Sequence, residues 1–74
     1  EKLFVRILNG GDVEPMSGAY IVDDTGNINL PFLGLTKVSG KLLVDLQTQI
    51  EQELIIKKIY LNTIVAHVAR TQLN

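Results

Sequence analysis

The sequence predicts an α+β fold: a small mixed sheet with a central β-hairpin, one amphipathic helix packed on it, and a final strand. Three observations predict it. Apolar residues alternate in Leu3 to Leu8, Tyr20 to Leu30 and Ile64 to Val68, the period of two that marks half-buried strands. Leu43, Leu46, Ile50 and Leu54 step by three and four instead, the spacing of one helix face. Asp24-Thr25-Gly26 interrupts the middle alternating stretch with turn residues, as a hairpin requires.

The chain has 74 residues, which predicts one small domain over 1–74. A domain of this size buries only about 60% of its unfolded surface and is marginal without staples or partners. The absence of cysteine rules out a disulfide scaffold and a thiolate metal site. A net charge of −1 with interspersed signs leaves no Lys/Arg stripe to neutralise phosphates, so nucleic acid is not an expected partner. No apolar run reaches the length of a membrane helix. Glu1 in place of an initiator Met makes the chain read as a fragment or a processed product. The excess of aliphatic residues in so short a chain suggests that some of them meet a partner.

In chain order, Leu3 to Leu8 is a strand with Leu3, Val5 and Ile7 on one face and Phe4, Arg6 and Leu8 on the other. Asn9-Gly10-Gly11-Asp12 ends it, and Val13 to Gly18, with Pro15 and Ser17-Gly18, is expected to be a surface loop. The hairpin follows. Tyr20 and Val22 face one way and Ile21 and Asp23 the other; after the turn Ile28, Leu30 and Phe32 share a face opposite Asn27 and Asn29. Asp24 and Thr25 suit the centre of a type I turn, and Gly26 the left-handed position that closes a bulged hairpin. Pro31 places that point of the strand at an edge or a bulge, and Gly34 breaks the run before a short strand, Leu35 to Val38.

Ser39-Gly40 turns into a helix over Lys41 to Ile56, weakly capped because Leu42 stands where a capping box wants Ser or Thr. Asp45 lies near its start and Lys57-Lys58 at its end, as the helix dipole prefers, with Glu51 between them. Ile59 to Asn62 links to the last strand, Thr63 to Ala69, whose two apolar faces suggest a central or doubly covered position.

Taken together, Ser17-Gly18, Tyr20-x-Val22-Asp23-x-x-Gly26-x-Ile28-x-Leu30-Pro31-x-Leu33-Gly34, Val38-x-Gly40, the helix, Tyr60-Leu61 and the strand Ile64 to Val68 resemble the polysaccharide export domain of outer-membrane capsule and exopolysaccharide export proteins. The wording Asn27-Ile28-Asn29-Leu30-Pro31 resembles versions from Bacteroidetes. The resemblance covers nearly the whole chain. It departs from the family at the helix cap, where Leu42 replaces a usual Thr, at Asn62-Thr63, where a Pro is common, and in its short Gly10 to Glu14 loop. The Gly-Asp that commonly precedes the first strand is also missing.

What the resemblance implies is transport without turnover. The domain is expected to contribute to a homo-oligomeric ring in the periplasm and outer membrane of a Gram-negative cell. Its expected partners are copies of itself, the exported polysaccharide and an inner-membrane polysaccharide copolymerase. A soluble ligand-binding β-grasp domain is expected to follow. The motif residues Tyr20, Val22, Asp23, Gly26, Ile28, Leu30, Pro31, Gly34 and Gly40 are expected to be structural, with no catalytic, cofactor or metal residue.

The chemistry-bearing residues have plainer explanations. Pro31 and Gly34 are backbone punctuation that needs no ligand. Asp23 and Asp24 are neighbours whose side chains diverge, a poor pair for glycoside hydrolysis. His67 has no second His, Cys or positioned carboxylate nearby in sequence. Tyr20 and Tyr60 could stack on sugar rings but suit half-buried strand positions. Ile55, Ile56 and Ile59, off the main stripe, suit a subunit contact or a wide core equally. The competing reading is a monomeric periplasmic carbohydrate-binding or adaptor module.

Overall fold

The computed structural model describes residues 2–61 and 63–71. The chain is α+β, with one helix among the described residues, packed on a sheet. Its elements are β1 (Lys2–Asn9), β2 (Asp12–Val13), β3 (Gly18–Ile21), β4 (Asn27–Leu30), β5 (Gly34–Lys37), α1 (Leu43–Ile56) and β6 (Ile64–Thr71). Strand β1 is the hub. It pairs along its whole length with β6, from Lys2↔Thr71 to Asn9↔Ile64, and on its other edge with β3 and β2. Strands β4 and β5 form a separate two-stranded ribbon, and every ladder among the described residues is antiparallel.

The expected central hairpin is corrected here. The turn at Asp24-Thr25-Gly26 forms, but the strands on either side of it do not continue as a ladder. Strand β3 pairs with β1, through Leu3↔Tyr20 and Phe4↔Ala19, while β4 pairs with β5, through Ile28↔Thr36 and Leu30↔Gly34. The hairpin tip is therefore at Pro31-Phe32-Leu33. Phe32 does not share the face of Ile28 and Leu30: it takes φ 70 in that tip and is 61% exposed, while the other two are buried. Left-handed backbone at a residue with a Cβ costs roughly 1–2 kcal/mol, which Pro31, with its fixed φ just before the tip, helps to impose.

Two other expectations change. The Val13 to Gly18 loop is not wholly at the surface. Gly10 and Gly11, at φ 60 and 94, make a two-residue turn of the primed kind that returns β1 into β2 with Asn9 opposite Asp12. Met16 then drops into the core. The short gap between the β2 and β3 pairings covers Arg6 and Ile7, and at Ile7 the Ser17 hydroxyl stands in for a strand. The Ile7 N–H donates to Ser17 Oγ at 2.8 Å, and that hydroxyl donates to the Ile7 carbonyl at 3.3 Å.

Strand β6 is an edge strand rather than a central one: among the described residues it pairs with β1 alone, and its odd residues lie on an open face. Val65, His67 and Ala69 are exposed, and only Ile64, Ala66 and Val68 turn inward. Two of its outward amides are satisfied by the helix: Ala66 N–H donates to Glu51 Oε2 at 2.8 Å and Val68 N–H to Gln47 Oε1 at 3.0 Å. Residues four apart on a helix rise about 6 Å, and residues two apart on a strand about 6.6 Å. A helix alongside can therefore serve every second amide of the edge, blunting it against further pairing.

Leu3, Val5 and Ile7 of β1, with Ile64, Ala66 and Val68 of β6, form the inner sheet face. Leu46, Ile50 and Leu54 of α1 and Ile28 and Leu30 of β4 share its core, while Leu43 is only half-buried. Each fully buried Leu or Ile contributes roughly 1.5–3 kcal/mol. The helix starts at Leu43, two residues later than expected, after an extended Leu42 with no side-chain cap. Its end is firmer. Lys58 N–H donates to the Ile55 carbonyl and Ile59 N–H to the Leu54 carbonyl, both at 3.0 Å, with Lys58 left-handed at φ 59. That is a Schellman stop, and Lys58 occupies its usual glycine position. Glu1 and Asn62, the expected starting point and linker end, lie outside the described residues.

Candidate functional site

The motif residues converge on a junction, and Asp23 is its organiser. One carboxylate oxygen, Oδ1, accepts from the Thr25 N–H at 2.9 Å, the Thr25 hydroxyl at 2.7 Å and the Asn27 N–H at 3.0 Å. The backbone closes the same loop: Gly26 N–H donates to the Asp23 carbonyl at 3.0 Å and Asp23 N–H to the Asn27 carbonyl at 2.9 Å. This pattern is a type I turn followed by a left-handed glycine, here at φ 84. The Asn27 N–H, then the Thr25 hydroxyl, holds the Asp23 carboxyl below the usual carboxylate range, although the group is exposed. Asp24 is simply an exposed turn residue.

Gly26 then fastens this turn to the exit from the ribbon. Its carbonyl accepts from Val38 N–H at 2.9 Å and Ser39 N–H at 3.0 Å. A Cβ on Gly26 would lie 2.5 Å from the Ser39 Cβ, so the two backbones meet only because glycine is there. Lys37 Nζ adds a bond to the Thr25 carbonyl at 3.2 Å. Gly40, at φ 79, sits in a turn closed by Lys41 N–H on the Val38 carbonyl at 3.3 Å, which aims the chain into α1.

The rest of the motif supports the junction from either side. Tyr20 and Val22 pack against the core while Ile21 and Asp23 face outward, as the alternation predicts. The Tyr20 hydroxyl donates to the Met16 carbonyl, and burial pushes its pKa up. Ile28 and Leu30 anchor β4 in the core; Pro31 and Gly34 flank the ribbon tip. Tyr60 lies elsewhere, beside Glu14; burial first, and the Glu14 charge second, raise its pKa.

The junction is braced through one oxygen of Asp23, which three donors engage, while Asp24 beside it is exposed. Among the described residues no group of three or more His, Cys, Asp or Glu is placed to hold a metal ion. No described helix is long and apolar enough to cross a membrane.

Sequence reasoning passed over the outer face of the sheet. Phe4 and Arg6 of β1 and His67 and Ala69 of β6 line a shallow depression of about 320 Å³ there, which Gln47 and Val68 complete at the β6 edge. Register pairs Arg6 with His67, and Phe4 with Ala69 on one side and Ala19 on the other. Alternation already put Phe4 and Arg6 on one face. What it lacked was the neighbour strand.

A family model described as Polysaccharide biosynthesis/export protein matches residues 2–69. The match therefore spans β1 and nearly all of β6, with the whole junction between them. No curated protein and no solved structure matches the chain.

Proposed function

The chain belongs to the polysaccharide biosynthesis/export family, and from that membership we propose that it is a non-catalytic building block of an export channel for capsular or extracellular polysaccharide. The match over residues 2–69 carries this reading. In it, copies of the parent protein assemble into a ring in the periplasm and outer membrane of a Gram-negative cell. The ring receives polymer from an inner-membrane copolymerase and conducts it outward. The domain's own part is rigidity. Asp23, Gly26 and Gly40 hold the β4–β5 ribbon against the helix entry, so that surfaces on both keep a fixed relation.

The geometry supports a scaffold role in a specific way. The carboxylate that acid/base chemistry would call on, Asp23, is tied into its turn by three hydrogen bonds. His67 lies on an open face next to Arg6 rather than in a closed cleft. Light scattering of the detergent-solubilised parent protein is expected to give the mass of a large symmetric oligomer. Deleting its gene is expected to abolish the surface polymer. A strictly monomeric parent protein, or normal surface polymer after deletion, contradicts the proposal.

A further inference from the structure

We infer that the outer face of the β3–β1–β6 sheet is a binding surface for an acidic glycan, with Phe4 as the stacking platform and Arg6 as the anion-binding group. The inference rests on the export reading, and names the class of polymer that such a face selects.

The first observation is the accessibility of the ring. Phe4 is 45% exposed in the middle of the sheet face, and its cross-strand neighbours on both sides, Ala19 and Ala69, are alanines. Nothing larger stands beside the ring in its own row. A phenyl face left open in this way presents a flat apolar surface to the C–H groups of a sugar ring.

The second observation is charge. Two residues along β1 from Phe4, about 6.6 Å away, Arg6 is exposed and makes no hydrogen bond or ion pair with any described residue. Its cross-strand partner His67 is exposed as well. Gln47 at the rim has already committed its Oε1 to the Val68 N–H, which leaves its NH₂ as donor. Among the described residues no carboxylate lines the depression; Glu51, one helical turn from Gln47, binds the Ala66 N–H outside it. A ring-sized apolar platform beside an unpartnered guanidinium fits a sugar that carries a carboxylate, since the guanidinium fork matches a carboxylate in a paired geometry. Neutral sugars would use the platform and leave the guanidinium idle.

The test is an amide NMR titration of the 74-residue chain with hexagalacturonate at low ionic strength, with maltohexaose and a hexa-aspartate peptide as comparison probes. Hexagalacturonate is expected to move the amides of Phe4, Arg6, His67 and Ala69 in a saturable way. Arg6→Gln and Phe4→Ala, both at exposed positions, should each weaken binding about tenfold, and Arg6→Gln with unchanged spectral dispersion keeps the test valid if Phe4→Ala disturbs the fold. Absent or scattered shifts overturn the inference, as does maltohexaose binding as tightly as the acidic oligomer. Hexa-aspartate binding the same residues as strongly also overturns it, in favour of an acidic polypeptide partner. Failure here with loss of surface polymer on gene deletion sinks the glycan site alone; normal polymer after deletion sinks the export reading beneath it.

Discussion

The hub sheet and the β4–β5 ribbon are both antiparallel, yet they are held in different ways. The ribbon is local: its strands are joined by one tight tip and its base is tied by the Asp23 turn and the Gly26 carbonyl. Apart from the local Gly10-Gly11 hairpin of β1 and β2, the hub sheet is assembled from far apart in the chain, with Val5 facing Val68 and Leu3 facing Tyr20. Side chains that imitate backbone complete it, Ser17 at the β2–β3 gap and Gln47 and Glu51 along the outer edge of β6. Local turns close the ribbon, while long-range ladders finished by side-chain bonds to backbone amides hold most of the hub sheet.

That contrast can be broken at several points. The largest effect is expected where both regions share a core. Ile50→Ala should cost about 2–5 kcal/mol, which for a marginal domain brings the unfolding midpoint in urea close to zero. Full retention of the folded signal would show that α1 does not seal the two regions together. Gly26→Ala comes next, at roughly 2–3 kcal/mol, from the left-handed φ and the overlap with Ser39. Adding Ser39→Gly should recover the overlap part but not the backbone part. Strict additivity in this double-mutant cycle would remove Ser39 from the explanation.

Gln47→Leu leaves the Val68 amide unpaired and should cost about 1–2 kcal/mol by chemical denaturation. It should also raise the tendency of β6 to pair with other chains. The Asp23 contribution has a defined pH window. Because its folded carboxyl is held below the ordinary range, the bonds it accepts are fully present above the unfolded value, about 3.9, and are lost as pH falls through the lower folded value. Wild type should therefore lose more stability than Asp23→Asn on acidification from pH ~5 to ~2, and equal losses would remove the carboxylate from the turn's support. The smallest effect is favourable: Lys58→Gly should raise stability by up to about 1 kcal/mol by relieving the left-handed stop.

How far the fold was legible follows the same division. The buried sets Leu3/Val5/Ile7, Leu46/Ile50/Leu54 and Ile64/Ala66/Val68 follow from periodicity alone, because each depends only on which face its own element buries. The Asp24-Thr25-Gly26 turn was legible because its hydrogen bonds are made within five residues. Pairing was not. Tyr20 to Ile21 and Asn27 to Leu30 flank a good hairpin turn, and only tertiary competition from β1 draws the first of them away. Asn9-Gly10-Gly11-Asp12 reads as the end of a strand before a surface loop; the hairpin it makes was missed, although its two-residue glycine turn carried the signal. Met16, beside Pro15 and Ser17, carried no periodic signal. At the junction, Asp23, Gly26 and Gly40 were legible as turn residues, but their meeting with Val38 and Ser39 depends on a contact between segments separated by the whole ribbon.

The sealing of the β6 edge by α1 is tested most directly by amide hydrogen exchange at Ala66 and Val68. Donation to Glu51 and Gln47 predicts that both amides exchange as slowly as those of the hub strand, and that Gln47→Leu accelerates Val68 well beyond Ala66. Exchange at both sites in wild type as fast as at exposed loop amides would contradict it, leaving β6 an open edge and the helix merely adjacent.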